Sequence, residues 1–132
     1  MFIDANVFIN AYIAKDFAGE KAMALLKRIK SGEQNAATSP MVLDETVYII
    51  AKNRGIEFAL RTHKNTLNIS NLQILPINKR TCESLPEIIF ETDLEPHDAF
   101  NIAVMRENNI STICSFDRDF DKIKGIKRVE PK

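Results

Sequence analysis

Met1-Phe-Ile-Asp-Ala-Asn-Val-Phe-Ile-Asn10 opens the chain with an apolar run that breaks onto an acid and then resumes. Phe2-Ile3 reads as a short buried strand, and Val7, Phe8, Ile9, Ala11 and Tyr12 recur at the spacing of a buried helix over residues 6–14. Asp4 therefore stands where a strand becomes a helix. A lone carboxylate between Ile3 and a buried helix must find a partner or be neutralised, because an unpaired charge is costly away from water. A purely structural account of Asp4 is harder to give than for any other acid of the chain.

The same arrangement returns near the other end. Ser111-Thr-Ile-Cys-Ser-Phe116 is the clearest strand pattern, and Asp117 follows it at once. Between the two lie helical and extended segments in alternation. Asp16 is placed to cap a helix carrying Ala22, Leu25, Leu26 and Ile29 up to Ser31-Gly32. Asn35–Thr38 suits a short strand, and Ser39-Pro40 supplies a cap and a first-turn proline for a helix over 41–53. Residues 56–69 read as a helix, 72–77 as a strand, and 81–91 as a helix that Pro86 should interrupt near its start. Glu95-Pro96 repeats the cap-then-proline opening for a helix to Asn108, and a last short strand falls around Lys127–Val129. All four glycines sit where elements should end. Strands separated by helices imply an α/β fold, a mainly parallel central sheet flanked by helices on both faces, in a single domain over residues 1–132.

Composition narrows the function. With 132 residues and 45% hydrophobic content the chain can bury one real core and not two. Lys plus Arg and Asp plus Glu number 18 each, so the net charge is zero and no global basic footprint is available to hold a polyanion. Any nucleic-acid role must rest on local patches or bound cations. Cys82 and Cys114 lack a CxxC spacing or a histidine set for zinc, which fits free thiols in a reducing cytoplasm. No unbroken apolar run exceeds the length of Val47–Ala51, so no membrane span is expected.

Asp4 and Asp117, each at a carboxyl strand end, should meet in the crevice that open parallel sheets form on that edge. Two more acids can join them. Glu45 lies one helical turn from Met41 and Ile49 and interrupts an apolar stripe, while Asp98 falls in the first turn of its helix, on the side of Ile102 and Met105. Each has a plainer account: Asp98 as a helix cap, Glu45 or its neighbour Asp44 as a solvent-facing acid, and Asp117, Asp119 and Asp121 as turn chemistry. Four carboxylates in one cleft repel one another and raise their pKa values unless cations are present. All-oxygen ligation without Cys or His suits Mg²⁺ or Mn²⁺, which share their remaining sites with substrate phosphate.

The chain also resembles, over nearly its whole length, a PIN-domain ribonuclease of the small stand-alone kind typified by VapC toxins. Phe2-Ile-Asp-Ala-Asn-Val7 is similar to the family's first motif. Ser39-Pro-Met-Val-Leu-Asp-Glu45 is similar to the second, Leu94-Glu-Pro-His-Asp-Ala99 with Ala103 to the third, and Ile113-Cys-Ser-Phe-Asp-Arg-Asp-Phe120 to the last. The resemblance implies that Asp4, Glu45 rather than Asp44, Asp98 and Asp117 hold one or two Mg²⁺ ions. It casts Ser115 as the hydroxyl of the last motif, with Asn6, Ser115 and Asp121 as candidates to support the acids. Ala5 stands where many members carry a threonine, a hydrogen bond that Asn6 or Ser115 would then supply.

The implied activity is metal-dependent hydrolysis of RNA phosphodiesters without a nucleophilic side chain. Neither His63 nor His97 is needed as a base, and His97 reads as a first-turn residue at the cleft rim. Arg118, Lys122 and Lys124, with Lys127 and Arg128 beyond, are candidates for an RNA rim, although a solvated face explains most such lysines. The resemblance further implies a cytoplasmic toxin with an antitoxin partner, and a homodimer built on residues 56–69 and the helices after Asn6 and Pro40. Two other readings compete: a PIN-like module that binds RNA or protein with little or no catalysis, and an aspartyl phosphotransferase. The latter wants an acid two residues after Asp4 or a well-placed lysine, whereas Asn6 stands there.

Overall fold

The computed structural model describes residues 1–132. The elements run β1 (Phe2–Ile3), α1 (Ala5–Ile13), α2 (Phe17–Ser31), β2 (Ala36–Thr38), α3 (Pro40–Arg54), α4 (Ile56–Leu67), β3 (Leu72–Ile74), α5 (Lys79–Thr92), α6 (Pro96–Glu107), β4 (Thr112–Cys114) and β5 (Lys127–Val129), with a 3₁₀ turn over Arg118–Lys122. All strand pairs are parallel, in the order β3-β2-β1-β4-β5. The expected class is what is found: one domain, with a five-stranded parallel sheet flanked by six helices.

The sheet is short, and its central strands are buried while the edge strands β3 and β5 are partly open to solvent. β1 and β2 are buried throughout, as are Ile113 and Cys114 of β4, in keeping with parallel strands covered on both faces. Phe2 pairs with Ala37 on one side and Ile113 on the other, so β1 is the central strand. The chain leaves β1 toward β2 and β3 on one side and returns to β4 and β5 on the other. Hence the carboxyl end of β1 is the switch point of the topology, where the crevice of an open parallel sheet lies. Asp4 is the next residue.

Helix packing fixes what surrounds that point. α1 packs against α2 and α3, α3 against α4, α5 against α6, and α3 also touches α6. Phe2, Phe8 and Phe120 are fully buried, each contributing about 1.5–3 kcal/mol of apolar transfer. Two caps match the sequence: Asp16 accepts from Gly19 N and Ser39 accepts from Val42 N.

Several local expectations are corrected. Gly19 is not at an element end but in the first turn of α2, where an added Cβ would lie 2.6 Å from the Ala14 carbonyl oxygen. Pro86 does not interrupt α5 near its start: the helix begins earlier, at Lys79, under a capping box between Asn78 and Thr81, and runs through the proline. Pro86 and Cys82 are both exposed, so the Cys82 carbonyl that loses its helical donor is left to water. Glu95 makes no side-chain cap, and α6 relies on Pro96 alone. β3 stops at Ile74, short of Pro76, which has no N–H to give. β4 ends at Cys114 because Phe116 N donates to the Asn6 side chain rather than to a strand.

Candidate active site

Asp4 is nearly buried, at 5% exposure, and its carboxylate is gripped from several elements. As the N-cap of α1, Asp4 accepts at Oδ1 from Ala5 N at 2.8 Å, and the same oxygen accepts from Asn101 Nδ2 of α6 at 3.4 Å. Oδ2 accepts from Asn6 Nδ2 at 2.7 Å and from Ser115 Oγ at 2.7 Å. Ser115, fully buried just after β4, is the hub: its Oγ also accepts from Asn6 Nδ2 at 2.9 Å and from Asp117 N at 2.9 Å. Asn6 closes the ring by accepting from Phe116 N at 3.1 Å. One network thus ties the turn after β1 to the turn after β4. It also supplies, through Asn6 and Ser115, the hydrogen bonding that Ala5 has no hydroxyl to make.

Asp117 is held by that turn. Its backbone N–H is fixed on Ser115, its Oδ1 accepts from Asp119 N at 2.8 Å, and fully buried Phe120 pins the 3₁₀ turn beneath it. Glu45, in the second turn of α3, is half-buried while Asp44 beside it is exposed. Asp98 lies in the first turn of α6, also half-buried.

Two of the four acids feel the others electrically. Burial pushes the Asp4 carboxyl up to about 6, against the lowering pull of the Ser115 and Ala5 hydrogen bonds, with Glu45 and Asp117 adding to the rise. Asp98 is pushed up to about 7, by burial first and then by Asp4, Asp117, Glu45 and Asp119 in that order. None of the four carboxylates takes part in an ion pair with Lys, Arg or His; the ion pairs of the protein lie elsewhere. This donor set suits a hard divalent cation: carboxylate oxygens, no sulfur or imidazole, and the buried carboxamide of Asn101 beside them, whose Oδ1 has no partner. The spacing is open, however, and no three His, Cys, Asp or Glu side chains stand close enough to form a ready-made metal group.

The other expected residues divide. Asn6 and Ser115 contact Asp4 directly. Asp121 does not: exposed, it pairs with Arg128 at 2.8 Å, and that pairing holds its carboxyl below the usual range. Arg128 leaves the candidate rim for the same reason, its guanidinium being shared among Asp121, Glu130 and the Ser115 carbonyl. Lys122 is exposed but bonded to Asp119 at 2.7 Å, whereas Arg118 and Lys124 are exposed without an ion pair. His97 is an exposed first-turn residue of α6. In α1, expected as part of a dimer face, Val7, Phe8 and Ala11 are consumed by the core. Sequence reading missed Asn101. Its signal was a lone amide three residues after Asp98, inside the apolar run from Ala99 to Met105.

Comparison with known proteins bears on this arrangement. The family model described as the PIN domain matches residues 1–126. The chain belongs to the PIN-domain family. Among curated PIN relatives, Ribonuclease VapC13 of Mycobacterium tuberculosis is 32% identical over 98% of each chain. Ribonuclease VapC2 of Methanocaldococcus jannaschii is 26% identical over 98% of this chain and 93% of the relative. Among solved structures, M. tuberculosis VapC20, titled a sarcin-ricin loop cleaving toxin, superposes with a TM-score of 0.75 at 23% identity, covering 91% of this chain and 92% of that one. At that identity the likeness confirms the PIN fold alone.

Proposed function

We propose that this PIN domain is a metal-dependent endoribonuclease whose site is Asp4, Glu45, Asp98 and Asp117, and that it is the toxin of a toxin–antitoxin pair. The observation that carries the proposal is Asp4: a buried acid at the sheet's switch point whose carboxyl is pushed up by burial, with Glu45 and Asp117 adding to the rise, next to an Asp98 pushed up in the same way, and neither acid has a Lys, Arg or His partner in an ion pair. A divalent cation relieves the rise. The four acids would hold Mg²⁺ or Mn²⁺, which when bound lowers the pKa of a water and stabilises charge on the leaving oxygen. The chain's own part is to fix Asp4 through Ser115, Asn6 and Ala5, to keep Asp117 at the same turn, and to hold the flanking RNA backbone by Arg118 and Lys124. The names of these two curated relatives, each a ribonuclease called VapC, support the activity, and a solved structure of the same fold titled a toxin–antitoxin complex from Klebsiella pneumoniae, at 18% identity and a TM-score of 0.70, supports an antitoxin partner. A phosphotransferase is disfavoured because Asn6 is spent on holding Asp4.

The decisive experiment incubates purified protein with a mixed, partly structured RNA and Mg²⁺ or Mn²⁺, with EDTA and Asp4→Asn as controls, and expresses both forms in a bacterial host. Cleavage and growth arrest should be lost in Asp4→Asn, and cleavage in EDTA. Equal cleavage by Asp4→Asn would sink the assignment. No cleavage by the native protein would favour the second reading, an RNA- or protein-binding module, which the open spacing of the acids leaves in contention.

A homodimer is part of the proposal. Ile56, Leu60, His63 and Leu67 repeat at helical spacing along α4, and Ile56, Leu60 and Leu67 are about half exposed, as is Tyr48 of α3. Leu60→Asp should convert a dimer to a monomer in size-exclusion chromatography with light scattering; an unchanged mass would move the interface elsewhere.

A further inference from the structure

Asn101 is the one polar side chain in the buried stretch of α6 between Ala99 and Met105, and it is 1% exposed. A carboxamide carries two donors and an acceptor oxygen, and burying it is unfavourable unless these are met. Here they are poorly met. Nδ2 donates to Asp4 Oδ1 over a long 3.4 Å, and Oδ1 has no partner at all. The opposite amide orientation would set two acceptors against each other, so Asp4 itself dictates which way the group faces. A leucine of similar volume would fill this site without an unpaired oxygen, so packing does not explain the asparagine.

Its position explains it. Asn101 is three residues past Asp98 and lies on the same face of α6. It reaches Asp4 at Oδ1, whereas Ser115 and Asn6 hold the other carboxylate oxygen. We infer that Asn101 is a positioning residue of the carboxylate cluster: its N–H fixes Asp4 Oδ1, and its unpaired oxygen is the acceptor that meets a donor brought in with a hydrated divalent cation. The inference rests on the metal-site reading above and extends it to a fifth side chain. Groups that orient metal-binding carboxylates typically matter by 10–100-fold in affinity or activity.

The test uses the full chain and Asn101→Leu, with Asn101→Ser as a smaller second variant. Mn²⁺ binding is measured directly by calorimetry, melting is followed in EDTA, and RNA cleavage is measured across a range of Mg²⁺ concentrations. Asn101→Leu should melt in EDTA at or above the temperature of the native protein. It should bind Mn²⁺ roughly 10–100-fold more weakly, and should recover cleavage as Mg²⁺ is raised with KM for RNA unchanged. A lower melting temperature together with native Mn²⁺ affinity in both variants would make Asn101 a packing residue and overturn the inference. If Asn101→Leu does not fold, the packing argument fails and Asn101→Ser decides by its Mn²⁺ affinity alone. Native protein that binds no Mn²⁺ would bring down the metal-site reading and this inference with it, whereas native binding unaltered by either variant would bring down this inference only.

Discussion

At the scale of single residues, Asp4 and Asp98 make a site that works against the fold. Both carboxyls titrate higher in the folded protein, at about 6 and about 7, than the 3.8 of an unfolded chain. Between about pH 4 and 7 the native state therefore holds protons that the unfolded state has released. The stability these groups allow is fully present below about pH 4 and is lost as pH rises through 6 and 7. Melting followed in EDTA should show the melting temperature falling from pH 5 to pH 7.5. Mn²⁺ should restore it, with a larger gain at pH 7.5 than at pH 5. Asp98→Asn removes the acid with the larger rise. It should abolish cleavage, raise the melting temperature of the metal-free protein at pH 7.5, and flatten its pH dependence; at about 3–5 °C per kcal/mol for a domain of this size, the gain should be several degrees. A flat profile in the native protein would mean that neither burial nor the neighbouring acids raise these two carboxyls. Glu91 and Asp121, exposed acids whose carboxyls are lowered by arginine partners, shift in the opposite direction to Asp4 and Asp98.

At the scale of elements, the turn between α1 and α2 offers a sharp test of packing. A methyl group on Gly19 would sit 2.6 Å from the Ala14 carbonyl oxygen, with backbone rather than a flexible side chain as the obstacle. Gly19→Ala should therefore cost about 1–3 kcal/mol by overpacking, read as a lower melting temperature. Mn²⁺ affinity and cleavage at 25 °C should be unchanged, since α1 carries Asp4 at its other end; a neutral substitution would show that the turn can move aside. The same turn shows what a sequence conveys and what it does not. The strand-then-acid pattern at Asp4, the cap at Ser39-Pro40 and the strand at Lys127–Val129 are local chemistry, and they are where the sequence puts them, whereas β4 stops at Cys114 and leaves Ser115 and Phe116 between it and Asp117. Gly19 reads as a helix end because its constraint comes from Ala14 across a turn, which no local pattern records. Pro86 reads as a break because its cost is visible locally, whereas the Asn78 capping box and the packing of α5 on α6 that outweigh it are less so. Asn101 escaped notice because its meaning lies in Asp4, distant in sequence and 3.4 Å away in space.

At the scale of the whole molecule, zero net charge sets how a polyanion can be held. Long-range attraction is weak, so in the proposed nuclease affinity for RNA would come from a cation at the acids and from a few rim contacts. The rim near Asp117 is smaller than its lysine and arginine count suggests. Arg128 is committed to Asp121, Glu130 and the Ser115 carbonyl, Lys122 is tied to Asp119, and Lys127 opens β5 at the amino edge of the parallel sheet, away from Asp4, which leaves Arg118 and Lys124. Binding of single-stranded RNA to cleavage-deficient Glu45→Gln in Mn²⁺ should then depend only mildly on salt. Two or three phosphate contacts give a slope of roughly −1.4 to −2 in log K against log salt. Arg118→Ala and Lys124→Ala should each weaken binding and reduce that slope by about 0.7, without altering the melting temperature, because both side chains are exposed and unpaired. Arg128→Ala should do the reverse. It should leave the slope alone and lower the melting temperature, because the Ser115 carbonyl loses its donor and Asp121 and Glu130 lose their cation. A slope that follows Arg128 rather than Arg118 and Lys124 would relocate the RNA path to the β5 edge of the sheet, away from the mouth of the acidic cleft.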